Sequence, residues 1–244
     1  MITKIILQSI ISKYHLGGMI ESTKWEIKDK QLVIKFMSPN QDMLGKVTYN
    51  NFPLENTDLV IFNTSQFNKL INVTHGDLIL NVAKTKNLAT RLDISDSQFN
   101  VNYALADTMM AKKVADVEEP DQYEIEIKLD PENIAALIKS KNAIGDDDTM
   151  ILETSINPIG DSIMLFTFGE NTDYSNKITY SIPIESISSM KLPFSSNTLK
   201  EILSANKDMK EGNILINSEG LMKLKFVDKE NLSTEYFMIR KADL

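Results

Sequence analysis

Hydrophobic positions along the chain change period several times, and each change marks a new element. Residues 2–14 place Ile2, Ile5, Ile6, Ile10 and Tyr14 at helical spacing, with Lys4, Gln8 and Ser12 on one polar stripe. Gly17-Gly18 is the expected stop. Alternating segments follow at Met19 to Ile27, Gln31 to Met37 and Leu44 to Tyr49, broken by turn residues such as Ser38-Pro39-Asn40. Trp25 is expected in the core. Leu59 to Phe62 reads as a short apolar strand. Asn63-Thr64-Ser65 then offers side-chain oxygens that cap a short helix with Phe67, Leu70 and Ile71 on its inner face, ended by His75-Gly76-Asp77. Leu78 to Val82, Ala89 to Ile94 and Phe99 to Leu105 alternate again as strands.

From Ala106 to Tyr123 neither period holds, and this stretch reads as a surface linker that carries the apolar residues Met109, Met110, Val114 and Val117. Beyond it the plan repeats. Glu124 to Leu129 alternates. Asp130-Pro131-Glu132 is a helix start, with a capping acid, proline at the first position and acid in the first turn. Ile134, Leu137 and Ile138 face inward as far as Gly145. Strands are expected at Met150 to Ile156, Ser162 to Phe168 and Lys177 to Ile184. Leu192 to Leu244 closes the chain with a capped helix, a Gly turn and three strands, the last being Tyr236-Phe237-Met238-Ile239. The segments IFNTSQFNKLI and LPFSSNTLKEIL stand at matching places in the two halves, their helices starting at Ser65 and Ser196. The expected fold class is α+β: two similar domains, each with two helices packed on antiparallel sheets. The boundaries are residues 1–106, a connecting loop at 107–123, and residues 124–244.

Composition changes this picture little. The 244 residues include no cysteine, which excludes disulfides, thiolate metal sites and cysteine nucleophiles. The net charge of −8 is unusual for a simple nucleic-acid binder, but the local field depends on where the lysines sit. No cationic leader precedes an apolar core, and no apolar run is long enough to span a membrane, so a cytoplasmic protein is expected.

Catalytic chemistry is hard to place. Gly17-Gly18 and Gly160 lack the neighbours of a phosphate loop, and no nucleophile elbow is present. His15 and His75 each stand at a helix end, where capping or solvation is the expected role. Asp146-Asp147-Asp148 reads as a solvated loop, since a metal site needs ligands converging from several elements. No enzyme activity, catalytic residue, cofactor or metal is expected.

The element order, the mid-chain linker, the cap-helix-Gly-strands unit and the closing Tyr236-Phe237-Met238-Ile239 together resemble a DNA sliding clamp of the two-domain type. That type is shared by proliferating cell nuclear antigen and the T-even bacteriophage clamps. The stretch IKLDPENIAALIKSKNAIGDDD is similar to the phage kind, and the Lys, Asn and Ile content with Arg91 and Arg240 as the only arginines suits an AT-rich phage genome. The resemblance implies a homotrimeric head-to-tail ring, a processivity factor that encircles duplex DNA without sequence preference and tethers the replicative DNA polymerase after a clamp loader has placed it. In a viral setting the location is the host cytoplasm. Helices would line the hole, with Lys4, Lys13, Lys69, Lys139, Lys200 and Lys207 facing DNA; Glu132 and Glu201 on the same arcs weigh against a strongly basic lining. Partner peptides would dock under the connecting loop, against Met109, Met110, Val114, Val117 and Pro120, with Met43, Leu44, Phe237 and Ile239 as floor. Subunits would join through the edge strands, with Phe99, Val101, Tyr103 and Leu105 meeting Ile178, Tyr180 and Ile182. The alternative reading is a non-enzymatic structural or scaffold β-rich protein of a virus, which has no use for lysines on all four helices.

Overall fold

A computed structural model describes residues 1–169, 175–185, 188–228 and 231–242. The chain divides into two compact units, one formed by Met1–Pro39, Leu44–Asp116 and Lys229–Thr234, the other by Asn40–Met43, Val117–Asp228 and Glu235–Leu244.

The first unit runs β1 (Ile2–Thr3), α1 (Lys4–His15), β2 (Thr23–Lys28), β3 (Gln31–Met37), β4 (Met43–Asn50), β5 (Thr57–Ile61), α2 (Thr64–Asn72), β6 (Asp77–Thr85), β7 (Leu88–Ser95) and β8 (Asn100–Ala104). The second runs β9 (Ile125–Leu129), α3 (Pro131–Ile144), β10 (Thr149–Ile156), β11 (Ser162–Phe168), β12 (Ile178–Pro183), β13 (Lys191–Ser195), α4 (Ser196–Asn206), β14 (Glu211–Ile216), β15 (Leu221–Val227) and β16 (Leu232–Ile239). The repeat extends to strand order. The orders β5-β2-β3-β4 and β1-β6-β7-β8 of the first unit become β13-β10-β11-β12 and β9-β14-β15-β16 in the second. The fold is therefore α+β, with antiparallel sheets and four helices among the described residues.

Local chemistry sets the element ends. The first helix begins at Lys4, later than its apolar period implied, because the Thr3 hydroxyl accepts from the Ile6 amide while the Thr3 backbone stays extended. It ends at His15, with Leu16 in the left-handed region at φ 46°. The next strand starts at Thr23, not Met19, because Leu16–Gly18 forms a tight 3-10 turn first. Asp29-Lys30 and Lys86-Asn87 take positive φ at both positions, the hairpin turn that matches strand twist. They join β2 to β3 and β6 to β7 and so fix those registers.

Trp25 is fully buried in the first unit and meets Tyr14, Phe52 and Phe67 edge-on, at ring distances of 6.2, 6.0 and 5.8 Å. In the second unit the Asn206 amide ties the end of α4 to the buried Tyr236 hydroxyl at 2.9 Å. On α1 the buried stripe is Leu7, Ile10, Ile11 and Tyr14. Ile5, expected inside, is 79 % exposed, one helical step off that stripe.

Candidate nucleic-acid interface and partner surfaces

The four helices carry six lysines, Lys4, Lys13, Lys69, Lys139, Lys141 and Lys200, against the two acids Glu132 and Glu201. Their net charge is +4, so the rest of the chain carries −12 of the total −8. Neither α1 nor α2 contains an acidic residue. The helices are therefore poor in acid rather than rich in lysine, since 20 of the 26 basic residues and 32 of the 34 acidic ones lie outside them, and not every helix lysine reaches solvent.

Lys13 is a correction. It is 0 % exposed, because it falls beside Tyr14 and Ile10 on the inward face of α1. Its counterpart near the end of α3, Lys141, is also buried and donates to the Gly145 carbonyl, closing the helix C-terminus. Lys4 is half-buried and donates to the carbonyls of Asn72 and Thr74 at 2.7 and 2.9 Å, so its ammonium caps the end of α2. Lys200 pairs with Glu201 at 3.1 Å. Lys69, Lys139 and Lys207 are exposed. Lys139 and Lys207 share the wall of a cavity of about 400 Å³ between α3 and α4, whose floor is Ile134, Ala135 and Ile138.

Both second helices hold their N-termini with a carboxylate, one being Glu21, for which the sequence suggests no role, and the other Asp148, expected in a solvated loop. In the first unit Glu21 accepts from the Ser65 amide at 2.9 Å and from the Ser65 hydroxyl, and lies 3.2 Å from His15 Nε2. Desolvation works against this carboxylate, but the hydrogen bonds from Ser65 and His15 outweigh it and hold its pKa below the usual range. In the second unit Asp148 accepts from the Asn197 amide at 2.9 Å and the Ser195 hydroxyl at 2.8 Å, and Asp147 accepts from the Thr149 amide. Thus Asp147 and Asp148 act as turn and cap acceptors. Among the described residues no three His, Cys, Asp or Glu side chains stand together as metal ligands.

The connecting segment opens with a 3-10 turn, Thr108–Met110, capped by Asp107. Met109 and Met110 are 86 % and 76 % exposed. Met109 and Val114 line a cavity of about 410 Å³ together with Lys24, Glu26, Lys35, Lys112 and Lys113, so its walls are far more polar than the expected apolar pocket. Lys35 holds Asp116 at 2.5 Å. In the second unit, Val117 and Pro120 are half-buried, and Glu119 is bound by Lys223 at 2.7 Å. The Lys223 ammonium lies 5.1 Å from the centre of the Phe237 ring and 3.2 Å from Glu235. Phe237 is half-buried and Ile239 exposed, whereas their neighbours Tyr236 and Met238 are buried. Met43 departs from its expected place: strand alternation turns it inward, leaving Leu44 on the outer face.

β8 and β12 are each the terminal strand of a four-stranded sheet. Of the side chains expected at a subunit joint, three turn into the core. Val101, Tyr103 and Ile182 are buried, and Leu105, Ile178 and Tyr180 half-buried; Phe99 alone of the set is exposed. Tyr103 packs on Phe67 at 4.7 Å and bonds the Asn63 backbone, and the Tyr180 hydroxyl donates to Asn133 at 2.8 Å. Period-2 alternation gives the apolar set to the core, leaving Asn100, Asn102, Ala104, Thr179 and Ser181 outside.

No protein-family model matches the sequence, and no curated protein matches it. Solved structures do match the fold. Proliferating cellular nuclear antigen from Entamoeba histolytica is similar with TM-score 0.75 and 15 % identity, over 98 % of this chain and 96 % of that one. The PCNA2–PCNA3 complex from Sulfolobus tokodaii matches with TM-score 0.75 and 12 % identity, over 99 % of this chain and 98 % of that one. Among the described residues no helix is long and apolar enough to cross a membrane. With its doubled helix-and-sheet unit and these full-length matches, the chain has the fold of the proliferating cell nuclear antigen sliding clamps.

Proposed function

We propose that the protein is a non-enzymatic processivity clamp: a ring of three copies that encircles duplex DNA, is placed there by a clamp loader, and tethers the replicative polymerase of a bacteriophage in the host cytoplasm. Residues 1–106 and 124–244 serve as its clamp domains and 107–123 as the connecting loop. The observation that carries this reading is the scarcity of acid on the helices, with none on α1 or α2 and only Glu132 and Glu201 on α3 and α4, beside the exposed Lys69, Lys139 and Lys207. Ammonium groups on helices meet phosphates without reading bases, which suits a protein that must slide. Lys69, Lys139 and Lys207 are the contacts of choice, with Lys4 and Lys200 adding to the local field. The terminal strands β8 and β12 supply the joint through main-chain N–H and C=O groups, with Asn102 and Thr179 among the outward side chains. Outer-surface partners meet Met109, Met110, Leu44, Phe237 and Ile239.

The test is retention on DNA. Light scattering of the wild type should give the mass of three chains. After loading, the protein should stay on nicked circular DNA and leave when the circle is linearised. The triple variant Lys69→Glu, Lys139→Glu, Lys207→Glu should keep its mass and fold and lose DNA-dependent stimulation of the polymerase. A monomer that is not retained on circles defeats the reading and favours the structural-protein alternative.

A further inference from the structure

Lys24 on β2, Lys35 on β3 and Lys46 on β4 are direct cross-strand partners, so three ammonium groups form one row across the sheet. Like charges opposite one another on a sheet face repel. Among the described residues of the first unit, ion pairs offset this row at two points. Lys24 binds Glu26 and Asp58, both at 2.8 Å. Lys35 binds Asp116, which arrives from the connecting segment. Hydrogen bonding and charge from Lys35, helped by Lys46, hold the Asp116 carboxyl below the usual range. Lys46 itself has no ion pair among the described residues. Lys112 and Lys113 add two exposed ammonium groups, without an ion pair among the described residues, at the cavity beside the row, and Met109, Ala111 and Val114 give that cavity an apolar wall.

We infer that this lysine row and its cavity dock an extended acidic peptide segment bearing apolar side chains, and that Asp116 stands in for one of the partner's carboxylates. The inference rests on the reading that residues 107–116 roof a site for partners, and it adds the chemistry of the partner. Strands about 4.8 Å apart give the row a span of roughly 10 Å, the reach of carboxylates two or three residues apart in an extended chain. A nucleic acid fits less well: among the described residues no aromatic ring lines the cavity to stack a base, and Glu26 stands in its wall against a continuous phosphate chain. Loss of the exposed Lys35–Asp116 pair costs little, so a partner displaces Asp116 readily.

The probe is a fluorescein-labelled ten-residue peptide of alternating Asp and Leu, compared by anisotropy with its Asn and Leu counterpart on the full chain. The Asp peptide should bind, and more weakly as salt rises. Asp116→Asn should tighten it roughly two- to fivefold by freeing Lys35. Lys46→Glu with Lys112→Glu should weaken it about tenfold or more, circular dichroism being unchanged. Equal binding of the Asn peptide overturns the acidic specificity and leaves the partner site standing. No binding of either peptide overturns both. Displacement of the Asp peptide by oligothymidylate at equal affinity overturns the inference in favour of a general anion patch.

Discussion

The Glu21 carboxylate accepts the Ser65 amide at 2.9 Å, so an acid from the loop after α1 sits on the N-terminus of α2. Asp148 stands in the same relation to Asn197 and α4. Even the backbone bonds correspond, with Thr64 N donating to Glu21 O and Ser196 N to Asp148 O. The doubling of the chain thus reaches the level of single hydrogen bonds, and it places each second helix relative to the first helix of its own unit.

Glu21→Gln tests that cap. The Ser65 amide should exchange faster with solvent, because a neutral acceptor holds the helix dipole less well, while the Gln66 amide, held by Asn63, should change little. The sign of the pH effect follows from the lowered carboxyl. Its contribution is present above the unfolded value of about 4.3 and is lost as pH falls through the lower folded value. The stability difference between wild type and variant should therefore close in strong acid, as read by urea titration across that range.

Two lysines on neighbouring helices should separate burial from contact. Lys13→Glu places an uncompensated charge in the core of α1 and should cost about 3–5 kcal/mol in denaturant unfolding. Lys69→Glu, on an exposed face, should stay within about 0.5 kcal/mol of wild type while weakening DNA retention. Equal stability loss in both would remove Lys69 as a surface contact.

Lys223 anchors residues 117–123 in the second unit through Glu119. Burial pulls its pKa down, but hydrogen bonds and charge from Glu119 and Glu235 raise it above the usual lysine value. Lys223→Met keeps the stem over Phe237 and releases Glu119, so limited proteolysis should cut near residue 119 faster, with the global unfolding midpoint little changed.

Gly45 faces the Phe36 ring across β3 and β4, and a Cβ there would stand 2.2 Å from a ring carbon. Gly45→Ala should destabilise the first unit by about 1–3 kcal/mol through overpacking. Adding Phe36→Leu should recover part of that loss in the same thermal scan, since it removes the atoms that collide.

Apart from the short strand β1, which the sequence assigns to the first helix, element order and type, the α+β class and the repeat follow from the sequence itself, because hydrophobic period and capping residues are local properties. The helix at Asp130-Pro131-Glu132 is the clearest case: Asp130 does accept from the Asn133 amide. The burial of Lys13 lies beyond the sequence because a lysine stem continues an apolar stripe as readily as a leucine does, and only packing shows that its ammonium goes inside too. The Phe99 and Ile178 sets illustrate a second limit. Alternation says which residues share a face, and tertiary structure says that this face is the core. The row Lys24, Lys35, Lys46 lay at an even eleven-residue spacing in plain sight. Its meaning depends on two hairpin registers, one of them set by an Asp29-Lys30 turn without the usual Asn-Gly signature, and register is a relation between strands that no single segment carries.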